Sequence, residues 1–133
     1  MSDYCQAATS LMFSFSDPIF GFMENAKFED FQEVDFRVGT ILKAEEFPEA
    51  KKPAYKLTID FGDLGTKQSS AQITKRYKPS DLVGKQVMAV FNFPPMKIAG
   101  FKSEVLVLGA SDEADDIILI SPENELTNGS VLR

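Results

Sequence analysis

Residues 66–93 read TKQSSAQITKRYKPSDLVGKQVMAVFNF, and the order of elements in this stretch decides the fold. Residues 66–73 are short and polar and follow a glycine, which predicts a strand leaving a turn. Pro79-Ser80-Asp81 then opens one helical turn that Gly84 stops. Residues 86–93 are an almost unbroken apolar run, the pattern of a buried strand. Pro94-Pro95 ends it, because proline donates no ladder hydrogen bond.

Upstream, apolar residues alternate. Over 54–62, Tyr55, Leu57, Ile59 and Phe61 share one face of a strand and Lys56, Thr58 and Asp60 the other, with Gly62 and Gly65 bracketing a hairpin. Val34, Phe36 and Val38 alternate at the start of a long segment, 34–47, whose Gly39 predicts a bulge or sharp bend. Phe28, Phe31 and Val34 recur at helical spacing and predict one or two turns of helix. Downstream, residues 92–105 (NFPPMKIAGFKSEV) read as a loop delivering a long buried strand over 104–110. An acidic turn at 111–116, a short strand at 117–121 and a tail with an Asn128-Gly129 turn follow.

Five or six strands with a helix between the third and fourth is the layout of an OB barrel, with an SH3-like barrel or a small sandwich as alternatives. The expected class is all-β: a five-stranded OB-fold Greek-key barrel with short helices and N- and C-terminal extensions. Residues 23–133 are expected to form the domain. Residues 1–22 read as a non-secretory extension, since they hold no Lys or Arg and their apolar run is broken by Ser14, Ser16 and Asp17. No run approaches the ~20 apolar residues that cross a bilayer, so membrane insertion is not expected.

Composition narrows function. The 133 residues contain no histidine, which removes Ser/His/Asp triads, Cys/His dyads and His-containing zinc sites, and no enzyme activity is expected. One cysteine, Cys5, forms no disulfide within the chain and fits a reducing cytoplasm. The glycines are scattered singly, so there is no phosphate-binding loop, and neither cofactor nor metal is expected. The net charge is −6, yet residues 67–102 hold seven Lys and Arg against Asp81 alone. One basic third therefore sits in an acidic body, a pattern suited to an anionic ligand.

Three blocks carry a family resemblance: DFRVGTILKAEEFPEAKKPAYKLTIDFG, KQSSAQITKRYKPSDLVGKQVMAVFNFPP and KIAGFKSEVLVLG. They resemble the CsaA family of secretion chaperones and, more loosely, the wider tRNA-binding-domain family, over residues 28–133. The resemblance implies a homodimeric OB fold that binds tRNA or other structured RNA through a basic face. It also implies binding of unfolded or precursor polypeptides, and contact with export machinery. The implied RNA contacts are Lys67, Lys75, Arg76, Lys78, Asn92, Lys97, Lys102 and Ser103, with Tyr77, Gln68 and Gln72 available for stacking or hydrogen bonds. A peptide cleft would use Phe93, Met96, Ile98 and Phe101, methionine being suited to promiscuous surfaces. The dimer interface would use Phe28, Phe31, Val34, Val131 and Leu132. Many relatives carry two adjacent basic residues after the prolines; here Met96 takes the first place, which tilts the expectation toward peptide binding with weak RNA affinity.

Overall fold

The computed structural model describes residues 25–133. The expected extension, 1–22, lies outside the described residues. Helix α1 (Phe28–Glu33) leads into β1 (Phe36–Glu46), a bent strand that pairs antiparallel with β4 (Gln86–Val90) through its first half and with β2 (Tyr55–Asp60) through its second. A short 3-10 turn at Gly62–Leu64 connects β2 to β3 (Thr66–Ala71), and helix α2 (Pro79–Leu82) stands between β3 and β4. The main sheet has the order β3-β2-β1-β4-β7, with β7 at Leu106–Val107.

The sheet curls until its edges meet. Ser69 Oγ donates to the Val105 carbonyl (2.8 Å), the Ser70 N–H to Ser103 Oγ (3.0 Å), and the Glu104 N–H to the Gln68 carbonyl (2.8 Å). Serines serve here because short hydroxyls bridge a seam where regular ladder bonds run out. The result is a nearly closed antiparallel barrel of the OB type, as expected, with the helix between the third and fourth strands. Inside it Ile41, Leu57, Ile59, Phe61, Leu82 and Val87 are wholly buried, Leu82 reaching the core from α2.

Three expectations change in detail. The irregularity of β1 falls between Ile41 and Lys43, not at Gly39. Gly39 is instead a point of close approach: a Cβ there would lie 2.6 Å from Ile59 Cγ2 and 2.8 Å from the Phe61 ring. Residues 104–110 are not one strand. Pairing with β4 ends at Leu108, whose N–H still donates to the Met88 carbonyl (2.9 Å), and β8 (Gly109–Ser111) pairs with β9 (Ile117–Leu119) in a separate hairpin. Residues 92–105 contain a second hairpin rather than a plain loop. β5 (Met96–Ile98) and β6 (Phe101–Ser103) are joined by Ala99 (φ 48°) and Gly100 (φ 83°), the positive-φ pair of a two-residue turn.

The tail returns to β1. Val38 N–H donates to the Ser130 carbonyl (2.9 Å), Leu132 N–H to the Phe36 carbonyl (3.0 Å), and Arg37 bridges Val131. Val131 and Leu132 are thereby set beside α1. Among the described residues no helix is long and apolar enough to cross a membrane.

Candidate functional site

The hairpin β5–β6 sets Lys97 directly opposite Lys102, both exposed. Their neighbours Met96/Ser103 and Ile98/Phe101 occupy the other face, and the burial of Ser103 identifies that face as the inner one. Like charges opposed across an antiparallel pair repel, and among the described residues neither lysine has a carboxylate partner within 4 Å.

Phe101 anchors the hairpin. Its ring meets Phe47 edge-on at 5.4 Å, and Lys56 Nζ lies 4.8 Å from the Phe47 centroid and 5.5 Å from that of Phe101. Phe47 opens the 47–54 connection, which carries the exposed Lys51 and Lys52. The β1–β2 connection and the β4–β7 connection therefore meet over β2, the place where OB barrels hold oligonucleotides. Lys51, Lys52 and Lys56 were not among the expected contacts. The alternation of 54–62 already put Lys56 on the outer face, but only the barrel shows which loops stand beside it.

The other expected cations have different surroundings. Lys67 faces Ile59 across the β2–β3 ladder, lies 5.6 Å from the Phe91 ring centroid and 3.9 Å from Glu104, and so braces the seam. Arg76 pairs with Asp112 and, at 3.1 Å, with Asp116, while Lys75 Nζ is 3.7 Å from Asp116. Lys78 is exposed, and its backbone N–H is capped by Asp81 (3.1 Å).

Several polar groups are already committed. Asn92 Oδ1 accepts the Asp35 N–H (2.9 Å) and its Nδ2 donates to the Glu33 carbonyl (2.8 Å), clamping the α1–β1 corner. Ser103 is 3% exposed and its hydroxyl closes the barrel, so it presents no surface to a ligand. Tyr77 accepts the Leu119 N–H at its hydroxyl (3.0 Å) and the Tyr55 hydroxyl at its carbonyl (2.8 Å); it packs on the core rather than standing as a stacking platform. Phe93, Met96 and Ile98 are half-buried.

The five residues expected at a dimer interface do come together. Phe28, Phe31, Val34, Val131 and Leu132 line one open groove of about 510 Å³, with Phe28 67% exposed. The rings of Phe28, Phe31 and Phe36 stack in series at 6.1 and 5.5 Å. Among the described residues no three His, Cys, Asp or Glu side chains converge as a metal site.

Residues 36–131 match the family model described as "Putative tRNA binding domain". The chain is 60% identical to a crystal structure of the chaperone CsaA from Bacillus anthracis str. Ames (TM-score 0.79, covering 83% of this chain and 100% of that one). It is 48% identical to the CsaA chaperone protein of Picrophilus torridus (TM-score 0.77, covering 82% and 100%). Among curated proteins it is 39% identical over 105 residues to the methionine–tRNA ligase of Methanococcoides burtonii, covering 79% of this chain and 15% of that protein. The chain thus spans about a sixth of the length of the curated relatives it matches.

Proposed function

This chain belongs to the tRNA-binding-domain family, within its CsaA group, and from that premise we propose that it is a non-enzymatic protein binding tRNA or similarly structured RNA. The observation that carries this reading is the exposed Lys97–Lys102 pair. A fold that opposes two lysines keeps a local repulsion that an RNA phosphate between them relieves. Lys56 and the Lys51–Lys52 turn extend the positive surface across two loops and a strand, and Lys78 adds a further exposed cation.

The emphasis differs from the sequence-based expectation, in which Met96 weakened RNA binding. Met96 stands opposite Ser103 on the hairpin's inner face. A basic residue at that position would face the barrel rather than join the exposed pair, so its loss subtracts little from the surface.

The test is tRNA binding across a salt series. Binding at low salt should fall steeply as salt rises, with a slope of roughly −0.7 to −0.9 per phosphate contact, and Lys97→Glu with Lys102→Glu should abolish it. An absence of tRNA binding at low salt, or binding indifferent to that double substitution, defeats the reading.

A second reading, an export-related chaperone for unfolded or precursor polypeptides, is supported by the 60% identity to a chaperone CsaA. It would use Phe93, Met96, Ile98 and Phe101 beneath the lysines. Client binding should then survive salt and fail on Met96→Asp. Both readings suit a cytoplasmic homodimer, joined through the groove between α1 and the tail.

A further inference from the structure

The hairpin β8–β9 carries Asp112, Glu113, Asp115 and Asp116 on its turn. Asp112 is fixed from within that turn: its Oδ1 accepts the N–H of Ala114 (2.9 Å) and of Asp116 (3.0 Å), and its own N–H donates to the Asp116 carbonyl (2.9 Å). Asp115 sits at φ 65°, completing the tight turn. Facing it, 36 residues earlier in the chain, Arg76 engages both Asp112 and Asp116 while Lys75 reaches Asp116. Nothing in local connectivity forces this meeting.

The two sides are unequal. The Asp112 and Asp116 side chains are 23% and 15% exposed, those of Arg76 and Lys75 46% and 79%. The Asp112 carboxylate is held by backbone N–H groups of its own turn, whereas the cations are long side chains reaching in from solvent. A guanidinium grips two carboxylate oxygens in the fork geometry with which it grips a phosphate.

We propose that the turn 112–116 is a built-in phosphate mimic, holding Arg76 and Lys75 in reserve until a ligand phosphate displaces it. The inference rests on the RNA reading above. Ion pairs whose cation stands in solvent are screened and weak, so a phosphate-dense ligand exchanges for the carboxylates without unfolding the turn, while a sparse polyanion leaves the pairs closed. The mimic acts as a threshold: Arg76 and Lys75 add to binding only when the ligand brings enough charge to compete.

The test compares the wild type, a latch variant (Asp112→Asn with Asp116→Asn), and a charge-matched control, Glu123→Gln with Glu125→Gln. The probe is a fluorescently labelled tRNA transcript, titrated at several salt concentrations. Asparagine keeps the Oδ1 acceptor that shapes the turn. The latch variant should bind several-fold more tightly than both others, with a salt slope steeper by roughly 1.4 for two added contacts. Adding Arg76→Gln should remove the gain. Phenylglyoxal labelling, normalised to Arg133, should modify Arg76 several-fold faster in the latch variant than in the wild type. Asp116→Asn alone repeats the comparison should the double variant unfold early.

Equal tRNA affinity in the latch variant and the control overturns the mimic while leaving the RNA reading standing. Equal labelling of Arg76 in wild type and latch variant overturns it as well. If no form binds tRNA at low salt, the RNA reading falls and takes the mimic with it, and slow labelling of Arg76 then marks a structural staple only.

Discussion

Gly39 lies on β1 where the sheet folds over itself, and a methyl group there would press on Ile59 and Phe61 at under 3 Å. Gly39→Ala should lower stability by about 1–3 kcal/mol through overpacking, seen as a lower denaturant midpoint with an unchanged slope. From sequence, Gly39 was visible as an interruption but not as this kind of interruption. A glycine that makes a bulge and one that lets two strands close look alike to periodicity. Asp112 offers a second residue-scale test. The Asp116 N–H above all holds its carboxyl below the usual carboxylate range; burial opposes this, and the Ala114 N–H and Arg76 add to the lowering. A depressed carboxyl stabilises the fold above its unfolded pKa, ~3.9, and that contribution disappears as pH falls through the lower folded value. Melting curves should therefore separate the wild type from Asp112→Asn at neutral pH and converge in strong acid. A melting-point difference that stays constant from pH 7 to pH 2 would contradict this.

The hairpin β5–β6 shows which elements the sequence hides. Prolines and lysines over 92–105 suggest a loop, and Ala99-Gly100 lacks the Asn-Gly or Asp-Gly signal that marks a two-residue turn. Strands of three residues leave too short an alternation to detect. The strand expected over 104–110 fails for the opposite reason: its apolar run is continuous, but its hydrogen-bond partners change between Val107 and Gly109. By contrast β2 and α2 were legible from a clear period and a proline start, and β4 from its apolar run, although it ends at Val90, short of the prolines expected to stop it. The hairpin carries its own prediction. Lys102→Glu replaces a repulsive cross-strand pair with an attractive one and should stabilise the hairpin by about 0.2–1 kcal/mol, while weakening tRNA binding. Thermal melts and binding curves on one variant should thus move in opposite directions. Loss of stability together with loss of binding would mean that the lysines are there to fold the hairpin.

For the whole molecule, the expected barrel appears because it rests on local patterns of apolar residues, and the five residues that the family resemblance implied for a subunit contact line one groove. What was not legible is which charges neutralise one another. Lys67 reads as a member of a basic cluster until the ladder turns it toward Phe91 and Glu104, and Arg76 reads as free until a turn 36 residues on comes to meet it. The groove between α1 and the tail yields the assembly test. Phe28→Asp with Leu132→Asp should convert a dimer to a folded monomer, measured by sedimentation equilibrium with circular dichroism unchanged. Both side chains are exposed in the single chain, so their loss should spare its core. A wild-type mass of one chain, or a variant mass that stays at two, would contradict the proposed interface.

The same groove brings residue 28 and residue 132 to one place, the tail pairing there with the start of β1. A barrel whose ends meet is close to a ring that happens to be cut there. Chain entering at α1 and chain leaving the tail do so side by side, so a segment can join at either place without threading across the barrel. The cut itself is also movable: a chain rejoined from 133 to 25 and opened at the exposed Ala99–Gly100 turn keeps every strand pairing except the link that closes β5 onto β6.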